Sequence, residues 1–246
     1  MKRPLIIGHR GMCNEPENTL KAFKKALDLK VDMVELDVRL AKDKIPVVMH
    51  DEDVDRTTNG RGKGNEMTLM ELKKLDAGDG EKIPTLQEVI DLVKGKSKLI
   101  IEIKTYAAIK PVAKLIKKNQ IVDSTIITSF GHLISKIFKK AVSGIKTGVI
   151  IVSLPINPVR IAEDANADYL VSFYETLLAG SLVYKKLIKQ ANKRKIDVLA
   201  AEIHEKNGIS PDQFRQLMKI GVNGFILNNP AIAIKQFEKK KKYIFW

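Results

Sequence analysis

The feature that most constrains this chain is an alternation that runs along its whole length. Short apolar runs rich in β-branched residues are each followed by a segment with helical apolar spacing. Strands are predicted at Leu5–Gly8, Val34–Leu40, Ile45–His50, Lys98–Ile103, Ser124–Ser129, Lys146–Ile151, Tyr169–Ser172, Asp197–Ala201 and Gly224–Leu227. Helices are predicted at Thr19–Leu29, Thr85–Val93, Ala108–Lys118, His132–Ala141, Pro158–Ala165, Leu182–Arg194, Pro211–Ile220 and Ala231–Lys240, with Asn18 as the N-cap of the first. If Val34–Leu40 and Ile45–His50 count within one unit, the chain has eight strand-then-helix units. Repeated βα units imply a parallel sheet, and eight of them imply closure into an α/β (β/α)₈ (TIM) barrel. The alternative, an open doubly wound sheet, has no G-x-G-x-x-G or P-loop to support it. The 246 residues suit one barrel domain spanning 1–246. Residues 51–83, rich in Gly, Asp and Lys, are too long for a plain connection and are predicted to be an insertion over the barrel mouth.

Charge and cysteine content narrow the function. The net charge of +14 invites a nucleic-acid reading, but its distribution argues against one. Through Lys104 there are 20 Lys and Arg against 19 Asp and Glu; from Thr105 onward there are 23 against 10. The excess sits on amphipathic helices (Lys110, Lys114, Lys117, Lys118) and in the tail Lys239–Lys242, which reads as solvated helix faces that also attract anionic substrates. No nucleic-acid partner is expected. The tail ends Tyr243-Ile244-Phe245-Trp246, so weak contact with a membrane surface is a candidate role for it. The one cysteine, Cys13, excludes an intramolecular disulfide and a thiolate metal cluster. No apolar run reaches the ~18 residues of a membrane span, and the first residues lack a signal-type apolar region, so a cytoplasmic protein is expected.

Barrel enzymes place their chemistry at the C-terminal ends of strands. There the chain carries His9-Arg10, Glu35-Leu36-Asp37, His50-Asp51 and Glu102-Ile103-Lys104. Glu35 and Asp37, two apart on a strand, point to one face, with Val34, Leu36 and Val38 on the other. Glu102 adds a third carboxylate from a neighbouring strand. Three carboxylates without thiolates suit a hard divalent cation, Mg²⁺ or Ca²⁺. The alternative on spacing alone is an ion network with Arg39, Lys104 and Arg10. His9 and His50, two of only four histidines, are candidates for general acid and base. Arg10 and Lys104 are candidate ligands of an anionic oxygen. His132 and His204 read as helix-start and loop residues.

The runs His9-Arg10-Gly11, Pro16-Glu17-Asn18-Thr19-Leu20 with Ala22-Phe23, Glu35-Leu36-Asp37-Val38, Val47-Val48-Met49-His50-Asp51, Arg56-Thr57-Thr58, Ile83-Pro84-Thr85-Leu86 and Leu99–Lys104, with Ser129-Phe130 further on, resemble the glycerophosphodiester phosphodiesterase family. The match is dense over Leu5–Lys104 and thin beyond. It implies a (β/α)₈ barrel that hydrolyses a small-molecule glycerophosphodiester to glycerol phosphate and an alcohol, a step of lipid and glycerol metabolism. It further implies that Glu35, Asp37 and Glu102 hold the cation, that His9 and His50 act as acid and base, and that Arg10 and Lys104 contact phosphate. Glu17 and Asp51 are implied as supporting residues, Glu17 by orienting a polar neighbour. The second half departs from the pattern. Val198–His204 replaces a Trp-Thr-x-Asn stretch and Asn228-Asn229-Pro230 replaces Thr-Asp-x-Pro, which removes an aromatic from the pocket wall. Phe173, Tyr174 and His204 are candidates to substitute for it, with packing the simpler reading. The rival functions are a lipid-acting barrel phosphodiesterase, of phospholipase D or sphingomyelinase D type, and a non-catalytic anion-binding barrel.

Overall fold

The computed structural model describes residues 3–152, 157–202 and 208–235. Eight parallel strands close into a barrel: β1 (Leu5–Gly8), β2 (Met33–Leu40), β4 (Lys98–Ile103), β5 (Thr125–Ser129), β6 (Lys146–Ile151), β7 (Tyr169–Phe173), β8 (Asp197–Ala201) and β9 (Gly224–Leu227), with β9 and β2 both paired to β1. The short β3 (Pro46–Val48) adds to β2 antiparallel, so Val34–Leu40 and Ile45–His50 do belong to one unit. The alternation of each strand separates two cores. Ile7, Met33, Ile100, Ile126, Ile150, Val171, Leu199 and Ile226 fill the barrel interior. Val34, Leu36, Val38, Ile101 and Ile103 face outward and pack against helices.

Among the described helices of the outer layer, α1 (Leu20–Asp28), α3 (Leu86–Val93), α4 (Ile109–Lys118) and α5 (His132–Ala141) pack in that cluster, while α6 (Pro158–Asp164), α7 (Tyr174–Ala179), α8 (Ser181–Lys193) and α9 (Pro211–Ile220) pack in a second one over β6 to β9. Local chemistry sets their ends. The Thr85 and Ser210 hydroxyls accept from the backbone N–H three residues on, and Glu88 and Gln213 return the bond, so both helices start in a capping box. Gly221, at φ 99°, closes α9 in the left-handed conformation that favours glycine.

Three expectations are corrected. The cap of α1 is Thr19, whose side chain accepts from the Ala22 N–H, while Asn18 sits at φ 59° with its side chain elsewhere. Residues 51–83, for which the sequence predicts no helix or strand, hold a regular element. They contain α2 (Leu69–Lys74), opened by a Thr68–Glu71 capping box, and Val54, Leu72, Ala77 and Ile83 form a small core with Val47 and Met49. The helix expected at Leu182–Arg194 runs Ser181–Lys193 and is preceded by a further helix, Tyr174–Ala179, that the sequence did not predict; Tyr174 packs in the outer core and Phe173 against the barrel interior, in line with the packing reading of both. His204 and the Lys239–Trp246 tail lie outside the described residues, as do residues 236–240 of the expected helix Ala231–Lys240, whose described part is helical from residue 230 to 235. Among the described residues no helix is long and apolar enough to cross a membrane.

Candidate active site

Glu35, Asp37, Glu102 and Lys104 continue the inward face of β2 and β4 beyond the apolar layer of Met33 and Ile100, because side chains two apart on a strand share a face. The register pairs Asp37 with Glu102 directly across the two strands. Glu35, Asp37 and Glu102 are buried, and one oxygen of each lies within 4.8 Å of the others. Two cations stand beside them. Lys104 Nζ is 2.9 Å from Asp37 Oδ1 and also touches Glu102 Oε1; Arg10 Nε is 3.2 Å from Asp37 Oδ2. These three contacts are ion pairs, and Asp37 Oδ1, Glu102 Oε1 and Arg10 Nε are buried with no other side-chain or backbone partner.

The turn after β1 brings in His9 and Arg10. Arg10 (φ 50°) and Gly11 (φ 93°) both take left-handed backbone, and a Cβ on Gly11 would lie 2.6 Å from the Ala22 carbonyl carbon. That turn aims the Arg10 N–H at Glu35 Oε2, 3.0 Å away. Asn18 locks the next layer. Its Nδ2 donates to Asp37 Oδ2 (2.8 Å), its Oδ1 accepts from the Asp37 N–H (3.3 Å), and its own N–H donates to the Arg10 carbonyl. His50 follows β3, where Arg39 Nε donates to the His50 carbonyl (2.8 Å) and so has a backbone partner rather than the carboxylates of the alternative network.

Each histidine has Nδ1 against an oxygen. His9 Nδ1 lies 2.5 Å from Asn228 Oδ1, and His50 Nδ1 lies 2.6 Å from Asp51 Oδ1. Nε2 is then the nitrogen left for chemistry on both rings, and that of His9 is 3.9 Å from Glu35 Oε2. Arg56, from residues 51–83, links the turn after β1 to the segment after β3. It donates to Asp51 Oδ2 (2.5 Å) and to both oxygens of Glu17 (2.9 and 2.7 Å), while Glu17 Oε1 also accepts from Arg10 Nη1 at 3.1 Å.

The charges follow from this geometry. Burial, with the neighbouring charges of Asp37 and Glu102, holds Glu35 well above the usual carboxylate range. Burial and the Asp37 charge push Glu102 up to about 7 against the opposing pull of Lys104. Burial also works to raise Asp37, but Lys104, Arg10 and His50 outweigh it and hold that group low. Burial, aided by Arg10, takes His9 down to about 4, and burial together with Lys104 and Arg10 lowers His50. Three buried carboxylates with oxygens within 4.8 Å of one another, two of which resist ionisation on their own, form a hard oxygen donor set that a divalent cation fits.

The site therefore brings together the nine residues expected to act in catalysis, cation or phosphate binding or their support: His9, Arg10, Glu17, Glu35, Asp37, His50, Asp51, Glu102 and Lys104. Sequence reasoning missed Arg56 as the link between the turn after β1 and the segment after β3, Asn18 as a partner of Asp37, and Asn228, which lies 219 residues from His9. Arg56 and Asn18 stood inside the matched runs. Asn228 gave a signal only as a departure from the pattern. His132, at the start of α5, has Nε2 3.2 Å from the Ile150 carbonyl and stands apart from the site.

A buried acidic triad and two histidines thus lie together at the strand ends of a barrel. Comparison with known proteins fixes the class. Residues 9–232 match the Glycerophosphoryl diester phosphodiesterase family. A glycerophosphodiester phosphodiesterase of Caldanaerobacter subterraneus subsp. tengcongensis is 36% identical over 251 residues, covering 96% of this chain and 99% of the relative. The crystal structure of a Thermotoga maritima glycerophosphodiester phosphodiesterase superposes with a TM-score of 0.81 at 29% identity, covering 96% and 100% of the two chains. An Oleispira antarctica phosphodiesterase, solved in complex with the product sn-glycerol-3-phosphate, gives a TM-score of 0.81 at 26% identity over 92% and 94%. The chain belongs to the glycerophosphoryl diester phosphodiesterase family, and so to the phosphoric diester hydrolases.

Proposed function

We propose that this enzyme hydrolyses glycerophosphodiesters to glycerol phosphate and an alcohol through acid–base catalysis by His9 and His50 beside a divalent cation. The observation that carries the reading is the placement of two Nδ1-anchored imidazoles around the buried Glu35–Asp37–Glu102 triad. Those three carboxylates would hold Mg²⁺ or Ca²⁺, which supplies Lewis-acid stabilisation of phosphoryl charge. Arg10 and Lys104, next to the triad, add positive charge for the phosphate oxygens. One imidazole takes the proton of the attacking oxygen, from water or a substrate hydroxyl, on Nε2. The phosphorus–oxygen bond to the leaving alcohol breaks, and the second imidazole delivers a proton to that alkoxide. Asp51 fixes the His50 tautomer and favours its charged form, and Arg56 and Glu17 steady Asp51 and Arg10 in turn. The chain is read as one catalytic unit, with residues 51–83 serving as a cap that contributes Arg56.

The product sn-glycerol-3-phosphate seen in the Oleispira antarctica relative supports a small phosphodiester as substrate. The test is the pH dependence of kcat/KM on such a diester with saturating cation. A bell-shaped profile is expected, with one limb lost in each of His9→Ala and His50→Ala. A profile flat between about pH 6 and 9 would overturn the two-histidine assignment.

A further inference from the structure

We propose that Asn228, held in place by Glu202, is the positioning residue that sets the tautomer and aim of His9. The inference rests on His9 acting through Nε2, as above, but its principal readout does not require activity.

Glu202 has no place in the reaction just described, yet it is a buried carboxylate at the C-terminal end of β8. A charge so placed is costly unless its oxygens are satisfied, and here each oxygen meets a backbone N–H from a different segment. Oε2 accepts from Asn228 N at 2.5 Å and Oε1 accepts from Ile209 N at 2.7 Å, while the Glu202 N–H donates to the Ile226 carbonyl at 3.0 Å. Glu202 thus clamps the residue that follows β9. The other side of Asn228 is fixed as well, because its carbonyl accepts from Cys13 N at 2.8 Å, and the preceding Leu227 carbonyl accepts from His9 N at 2.9 Å. Asn228 is itself buried, and with its backbone held fore and aft its Oδ1 lies against His9 Nδ1.

The chemistry of that contact is directional. An amide oxygen accepts and cannot donate, so the His9 proton must sit on Nδ1, which leaves the lone pair on Nε2, 3.9 Å from Glu35 Oε2. Without Asn228 Oδ1 the neutral ring has no reason to prefer that tautomer, and its rotation about χ2 loses its stop. Glu202 is one step further out: it touches no reacting atom and acts through the Asn228 backbone.

The experiment uses the full-length protein labelled with ¹⁵N-histidine. Long-range ¹H–¹⁵N spectra report which ring nitrogen carries the proton, and comparison with His9→Gln assigns the resonance among the four histidines. Wild type is expected to show His9 protonated on Nδ1. Asn228→Ala is expected to lose that preference and to lower kcat by about 10- to 100-fold with KM nearly unchanged, the usual size of a lost orienting partner. Asn228→Asp keeps an acceptor at the same place and should keep the Nδ1–H tautomer. Glu202→Ala should move both readouts in the direction of Asn228→Ala, and Glu202→Gln, which retains one acceptor oxygen, should move them less. Wild-type His9 protonated on Nε2 would overturn the proposal, as would an Asn228→Ala protein with unchanged tautomer and kcat. Should the enzyme prove inactive on every diester, an Nδ1-protonated His9 that changes in Asn228→Ala would still support the positioning relay and leave only the functional reading refuted.

Discussion

Replacing Glu102 with Gln should stabilise the cation-free enzyme while stripping it of cation affinity. Burial and Asp37 raise the folded-state carboxyl of Glu102 from its ordinary 4.5 to about 7. Below pH ~4.5 the group is protonated in folded and unfolded chains alike and costs nothing. Between there and about 7 the unfolded chain gives up its proton more readily, so each rise in pH draws the equilibrium toward unfolding. Above about 7 the penalty is complete and amounts to roughly 3 kcal/mol. Coulomb's law gives a similar size, because two ionised carboxylates whose oxygens lie within 4.8 Å repel by about 3 kcal/mol at an effective dielectric near ~20. Glutamine removes that charge but leaves Lys104 with Asp37 alone, which returns part of the gain. A net stabilisation of about 2 kcal/mol corresponds to a rise in Tm of roughly 4–8 °C for a chain of this length.

The assay is thermal melting of wild type and Glu102→Gln in EDTA at pH 8 and again at pH 5, followed by titration with Ca²⁺ or Mg²⁺. The variant should melt higher at pH 8 and nearly level with wild type at pH 5. Added cation should raise the wild-type Tm well beyond that of the variant, because only binding to the folded state stabilises. A variant that melts below wild type in EDTA at pH 8, or gains as much from cation, would refute the reasoning that the triad's mutual repulsion is what a bound cation relieves.

Asn18→Ala should weaken cation affinity by about 10- to 100-fold and cost roughly 2–4 kcal/mol, because it removes both bonds to Asp37 and places alanine at φ 59°. Asn18→Gly, free of the backbone strain, should lose the same affinity at a smaller cost in urea denaturation. Gly11→Ala should cost about 3 kcal/mol or more, since its Cβ would lie 2.6 Å from the Ala22 backbone at φ 93°, and a variant within about 1 kcal/mol of wild type would show that the turn can relax. Asp168 accepts from Lys139, Lys146 and the Thr147 N–H, and these partners outweigh burial to hold its carboxyl below the usual 3.8. Asp168→Asn should therefore cost about 1–2 kcal/mol at neutral pH, and the difference should vanish as pH falls through the depressed folded value, which denaturation curves at pH 7 and pH 2 would compare.

The barrel was legible because its periodicity is local. Strands such as Lys98–Ile103 and Lys146–Ile151, and helices such as Pro211–Ile220, coincide with their apolar patterns to the residue. The inward carboxylates were legible for the same reason, since Glu35, Asp37 and Glu102 alternate with apolar neighbours that pack outward. Errors arose where local signals compete. Asn18 and Thr19 are both good caps, and the demand of Asp37 for a buried donor takes Asn18 away from the helix. The 51–83 segment reads as loop by composition, yet the Thr68–Glu71 box and Leu72 suffice to nucleate α2 against the small core. What no local pattern reveals is pairing across the barrel seam: Asn228 meets His9 only because β9 closes onto β1.

The most direct test of the account is hydrolysis of a panel of glycerophosphodiesters by wild type, His9→Ala and Glu35→Ala, each freed of metal with EDTA and then given Mg²⁺ or Ca²⁺. The account predicts that EDTA abolishes wild-type turnover, that cation restores it, and that neither variant recovers. Turnover that survives EDTA, or a Glu35→Ala enzyme that cation rescues in full, would contradict it.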